Sequence, residues 1–141
     1  MAALAKQLEG AVLMGHSESG FFPQQAALLD PAGIRAMITI EAPCPEDLTP
    51  AQIATLAKIP TLVMFGDHLS DVPTVVVSWQ KAYEACDAYV GKVRGAGGDA
   101  EMMLLPRMGI HGNSHMLMQD RNNLQLADKI LGWIDKHAEH R

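Results

Sequence analysis

The stretch Ala11-Val-Leu-Met-Gly15-His-Ser17-Glu-Ser-Gly20-Phe-Phe22 decides the reading of this chain. Ala11 to Met14 is an apolar run of the length a short buried strand takes, and Gly15-His-Ser17 turns the chain out of it. The residues that follow, Glu18 to Leu29, suit a helix that Asp30-Pro31 closes. A serine at such a junction sits on a strained strand-to-helix turn that lifts its hydroxyl clear of the sheet, provided that small residues stand two positions to either side. Gly15 and Ser19 meet that size requirement. The competing reading, a glycine-rich turn with an ordinary serine, leaves the strand before it and the helix after it unexplained.

Outward from that junction the same alternation repeats. Met1 to Glu9 has helical composition and Gly10 stops it; beyond the turn, Ala36 to Ile40 reads as a buried strand with Glu41 at its C-terminal end. Ala42 to Pro50 contains Pro43, Pro45 and Pro50 and is a loop, from which Thr49-Pro50 caps a short helix running to about Lys58. Ile59 to Phe65 is a third strand. From Thr74 to Val93, residues Trp79, Ala82, Tyr83, Cys86, Tyr89, Val90 and Val93 recur at helical spacing, although Val75 to Val77 locally favours a strand. Gly95, Gly97 and Gly98 end that helix, Glu101 to Leu105 makes a fourth strand, and Leu124, Ala127, Ile130, Leu131 and Ile134 are expected to line one face of a final helix. Short apolar strands separated by helices predict an α/β fold with a parallel sheet and flanking helices, because parallel neighbours need crossover connections and burial on both faces.

With 141 residues, 48% of them hydrophobic and 19% charged, residues 1–141 are expected to form one globular domain with a buried core. A net charge of −5, with acidic and basic residues interspersed, supplies no basic face for phosphates, which argues against nucleic acid and anionic membranes as partners. No run approaches the roughly 18 apolar residues of a membrane span. The residues before Ala11 do not read as a signal peptide, since Lys6 and Glu9 interrupt them and no basic segment precedes. Cys44 and Cys86 have no metal-site spacing and are either buried thiols or one bridge, so the compartment stays open.

The hexapeptide Gly15-His-Ser-Glu-Ser-Gly20 resembles the nucleophile elbow of the α/β-hydrolase superfamily, with the second glycine one place later than usual. The resemblance implies that Ser17 is a nucleophile and that the N–H of Glu18, next after it, donates to an oxyanion. A serine at its free pKa attacks poorly, so a histidine must take its proton and an acid must orient that histidine, in the chain order Ser, acid, His. His111 and His115 both lie between the fourth strand and the last helix. The run Gly-Asn-Ser-His115-Met, followed by Gln119-Asp-Arg-Asn-Asn123 and a long helix, resembles a bacterial serine esterase branch and favours His115, with His111 as the alternative base. A metal held by that His pair would need a helix, which Gly109 and Gly112 oppose. His16 belongs to the turn, while His137 and His140 fall on a polar tail and are expected to be solvated.

For the acid, most of the superfamily uses the third residue beyond a glycine after the third strand present here, but counting from Gly66 gives Leu69. Asp67 and Asp71 flank it and remain alternative acids, or are plain polar loop residues. Glu41, at the end of the strand after the elbow helix, matches the position some members use, and its interval from Ser17 resembles that branch; it is the assigned acid. Phe21 and Phe22 either line an acyl pocket, as substrate-binding residues, or are core. Gly95-Ala-Gly-Gly98 follows a helix and precedes a strand, the reverse of a dinucleotide fingerprint, and the nine methionines read as flexible core filler. No cofactor and no metal is implied.

The superfamily fold usually runs to about 250 residues. By resemblance the front strands are missing, and one of them would lie beside Ala11 to Met14, leaving an apolar sheet edge open to a second copy or to a complementing N-terminal half. The second oxyanion donor would also come from that half, and losing one donor costs a factor of about 100 to 1,000 in turnover. Two functions follow: a serine hydrolase that cleaves small-molecule carboxylic esters through an acyl-enzyme, or a catalytically incomplete half domain serving as a structural or assembly unit. Weak or no activity is expected from this chain alone.

Overall fold

The computed structural model describes residues 1–70 and 78–138. Among these residues four strands, β1 (Ala11–His16), β2 (Ile34–Ile40), β3 (Thr61–Phe65) and β4 (Ala100–Leu104), form one sheet in the order β1-β2-β3-β4. Every neighbouring pair is parallel, so consecutive strands are joined by crossovers and all strand C-termini emerge on one edge. Among the described residues the α-helices are α1 (Ala2–Gln7), α2 (Phe22–Leu29), α3 (Pro50–Leu56), α4 (Trp79–Gly95) and α5 (Asn123–His137). The α/β class read from the alternation is the one observed.

The two-residue period of the central strands divides the core in two. Met37, Val63 and Phe65 point to one face, where they pack with Ala26 and Ala27 of α2, Leu56 of α3 and Tyr83, Cys86, Tyr89, Val90 and Val93 of α4. Ala36, Ile38, Ile40, Leu62 and Met64 point to the other, against Leu126 and Trp133 of α5. All of β3 is buried, as a central strand covered on both faces must be. Among the described residues the faces are unequally covered: α1 to α4 serve the first, and α5 with Leu105 and Leu117 of two 3-10 turns serves the second. On the α5 side Met14 of β1 is 56% exposed, and an apolar groove of about 310 Å³ runs between β1 and α5, lined in part by Met14, Ile40, Leu126 and Ile130.

Local chemistry explains most element ends. Thr49 accepts the N–H of Gln52 at 3.3 Å and Pro50 opens α3, while Ser78 accepts the N–H of Lys81 at 3.3 Å to start α4. Three sequence expectations need correction. The helix expected from Glu18 begins as a 3-10 turn over Ser17–Ser19 and becomes α-helical at Phe22. On α5, Leu124, Ala127 and Leu131 are exposed, the two leucines at 76% and 56%, whereas Ile130 and Ile134 pack against the core as expected, beside the buried Leu126 and Trp133. The apolar stripe of that helix is therefore rotated, because the bulky indole of Trp133 takes the place against the sheet. His137 is not a solvated tail residue: its Nδ1 lies 2.6 Å from Asp99 and its ring stacks on Trp133 at 4.7 Å. His140 lies outside the described residues, as does the stretch 74–77 where the fourth helix was expected to begin. Cys44 and Cys86 are joined in a disulfide that ties the loop after β2 to α4, 42 residues away. Closing a loop of that length stabilises the folded chain by about 2–4 kcal/mol. Among the described residues no helix is long and apolar enough to cross a membrane.

Candidate active site

Three strand ends build the site. At the end of β1 the chain turns so sharply that Ser17 takes φ = 56°, a left-handed conformation that costs a serine about 1–3 kcal/mol. The turn survives because little side-chain bulk stands in its way. A methyl group on Gly15 would lie 2.3 Å from the Ser19 carbonyl oxygen, and one on Gly20 would lie 2.1 Å from Ala42 Cβ. Gly20, one place beyond the position expected to be small, thus carries the tighter restriction. Ser19 adds a clip instead: its hydroxyl donates to the His16 carbonyl at 2.8 Å.

At the end of β2, Glu41 also has a positive φ, 46°, and its side chain is only 2% exposed. It accepts a hydrogen bond from the backbone N–H of Gly66, at the end of β3, through Oε1. Burial pushes the Glu41 carboxyl above its ordinary range, against the opposing pull of the Gly66 N–H and of His115. A raised carboxyl pKa means that this group withdraws stability as pH rises from the ordinary glutamate value through the raised one. Keeping an ionised Glu41 here is therefore a cost to the fold.

After β4 the chain makes a 3-10 turn, Leu105–Met108, and a long loop that carries His115. The His115 Nε2 is 2.9 Å from Ser17 Oγ, and its Nδ1 is 3.2 Å from Glu41 Oε2. With Nδ1–H donating to Glu41, Nε2 is left to accept the Ser17 hydroxyl, giving one continuous chain of hydrogen bonds across three strand ends. His16 donates from Nε2 to the His115 carbonyl at 2.8 Å, and the ring of Trp79 lies 4.2 Å from that of His115.

The loop itself is held by polar side chains. Asn113, 1% exposed, donates to Asp120 at 2.9 Å and to Asn122 at 2.7 Å, and Asn122 donates back at 3.1 Å. Asp120 further accepts the Ser114 N–H and hydroxyl, both at 2.8 Å. Burial works against ionisation of Asp120, but these bonds from Asn113 and Ser114 prevail and hold its carboxyl below the usual range. Asp67 and His111, considered above as acid and base, face each other at 3.5 Å instead of meeting Ser17. Asp67 accepts the Gly112 N–H and donates its own N–H to the Asn113 carbonyl, so it fastens the His115 loop to the end of β3. Asp71 lies outside the described residues. Phe21 and Phe22 share a pocket with Glu18, Pro43 and Trp79. Among the described residues there is no group of three or more His, Cys, Asp or Glu side chains fit for a metal ion.

Asp120, Asn113, Asn122 and Trp79 were not singled out as site residues from sequence. The Asn113-Ser114 and Asp120 to Asn122 runs do carry a signal, since such residues cluster where side chains replace backbone partners in a loop. Trp79 gave none beyond its place on an apolar helix face.

A parallel sheet flanked by helices, with a serine at a sharp turn between strand and helix, is α/β-hydrolase architecture, here with four strands. The solved structure of a "Novel Bacterial Esterase" is similar over 97% of this chain, with a TM-score of 0.89 and 45% sequence identity. The "Probable secreted lipase phiG" of Fungal sp. (strain ATCC 74256) is 38% identical over 73 residues, 49% of this chain. The chain spans 41% of the length of the esterase and 20% of that of the lipase. No family model matches it. Its homology is thus to esterases and lipases at the level of the α/β-hydrolase fold.

Proposed function

We propose that residues 1–141 are the nucleophile-bearing part of an α/β-hydrolase domain of bacterial serine esterase type that cleaves carboxylic esters through an acyl-enzyme. The observation that carries this is the hydrogen-bond chain from Ser17 Oγ through His115 to Glu41. In the proposed sequence Ser17 attacks the ester carbonyl while its proton passes to His115 Nε2, and the oxyanion is held by the N–H of Glu18. His115 returns that proton to the leaving alcohol, and water then releases the acid by the same route. Glu41, fixed by Gly66, keeps Nδ1 protonated and balances the imidazolium. Phe21 and Phe22 bind the substrate.

A second reading, favoured by the four-stranded sheet and by the 41% share of the esterase that the chain spans, is that these 141 residues alone are catalytically incomplete. An oxyanion hole needs two donors, and Glu18 supplies one. In this reading the open side of β1 pairs with the rest of the domain or with a second copy, and turnover by the chain alone is weak or nil.

Fluorophosphonate labelling of the purified chain, located by mass spectrometry, separates the two. Labelling at Ser17 that vanishes in His115→Ala supports an activated nucleophile. A well-folded chain that takes no label at Ser17 would leave the incomplete half domain as the reading.

A further inference from the structure

Glu18, Phe21, Phe22, Pro43 and Trp79 surround a pocket of about 390 Å³. It reaches the reacting centre by two walls. Trp79 lies against the His115 ring at 4.2 Å, and His115 Nε2 is 2.9 Å from Ser17 Oγ; Glu18 directly follows Ser17 in the turn. The remaining walls are Pro43 and two aromatic rings: Phe21 and Phe22 meet edge to face at 4.8 Å, neither belongs to a core cluster, and Phe22 is 45% exposed. Exposed rings beside a reactive serine lose apolar hydration when a ligand covers them, and ring faces and edges favour another ring in offset or T-shaped contact. The charged side chain at the pocket is Glu18, which repels an anionic substituent.

Resting on the ester-hydrolase reading above, we infer that this pocket is the acyl subsite, that it takes a neutral aromatic acyl group, and that Trp79 and Phe22 set the preference. The N–H of Glu18 and both phenylalanines come from one short turn. The pocket therefore adjoins the place where a carbonyl held by that N–H would sit. Trp79 has a double position, since its indole lies against His115 and also lines the pocket.

The test compares phenylmethanesulfonyl fluoride with methanesulfonyl fluoride on the 141-residue chain. In both reactions the Ser17 Oγ–S bond forms as S–F breaks, the serine proton passes to His115 Nε2, and fluoride leaves. The reagents differ in the ring alone. The aryl-to-methyl ratio of labelling rates at Ser17 is expected to fall about tenfold in Trp79→Ala and in Phe22→Ala, and to be largely kept in Trp79→Phe. Phe22→Ala matters because the ring contact of Phe22 is with Phe21, whereas that of Trp79 is with His115. An unchanged ratio in both alanine variants overturns the inference, as does an equal slowing of both reagents in Trp79→Ala with no change in Phe22→Ala, which would leave Trp79 as a support for His115 only. If neither reagent labels Ser17 in a folded wild-type chain, the ester-hydrolase reading of this chain gives way to the incomplete half domain, and the subsite falls with it.

Discussion

The turn after β1 and the loop after β4 hold their key side chains by opposite means. Ser17 is fixed by its backbone: a left-handed φ of 56°, two glycines where methyl groups would collide, and a local clip from Ser19. His115 is fixed by other side chains: Asp120, Asn113, Asn122 and Asp67 fasten its loop, and Glu41 orients its ring. A sterically set turn has few alternatives and tolerates little change in volume. A hydrogen-bonded loop tolerates changes of volume at its surface but depends on each acceptor. The first should fail in stability, the second in rate.

The largest effect is expected where the ring of His115 is oriented. Glu41→Gln keeps the contact with Gly66 but offers an amide N–H to Nδ1, which favours the tautomer with its proton on Nε2 and blocks proton uptake from Ser17. Labelling at Ser17 should slow by about 10⁴-fold. Asp67→Asn, which keeps an acceptor for the Gly112 N–H, should cost far less. Equal, mild losses from the two would exchange their roles.

Asp120→Ala comes next. It removes the acceptor shared by Asn113 and Ser114 and lets the residues before His115 shift. A misplacement of about 1 Å at a reacting group costs about 100-fold in rate. Labelling kinetics should show that loss while the urea midpoint moves little. A large fall in stability at an unchanged rate would make Asp120 part of the fold rather than of the site.

The β1 turn should answer in the other currency. Gly20→Ala places a methyl group against Ala42 and is expected to destabilise the chain by about 1–3 kcal/mol in urea unfolding. Ala42→Gly should restore most of that, since the clash is pairwise. Additive losses would mean that the collision is not what restricts Gly20. Smallest is Ser17→Gly, which abolishes labelling yet should raise stability by about 1 kcal/mol, the strain released less the extra chain entropy of glycine. No gain would show that the turn holds Ser17 without strain.

This contrast also explains what the sequence revealed. The strand-turn-helix around Ser17 is local, so its glycines and apolar run were legible in Ala11 to Phe22, although the restriction at Gly20 depends on Ala42, contributed by the loop after β2. Glu41 and His115 were singled out by motif resemblance, not by any property of their neighbours. The lock on the His115 loop was not read, because it joins Asn113 and Ser114 to residues six to nine positions later and Gly112 to Asp67 on another strand end. The orientation of α5 was misjudged for a similar reason: spacing permits several apolar stripes, and packing of Trp133 on the sheet chooses one.

The most direct test of the account is the imidazole of His115, observed by NMR in the histidine-labelled chain. The arrangement predicts a far-downfield Nδ1–H resonance protected from exchange, lost in Glu41→Gln and kept in Asp67→Asn. A ring whose N–H exchanges freely, or a resonance that ignores Glu41→Gln and disappears in Asp67→Asn, would contradict it.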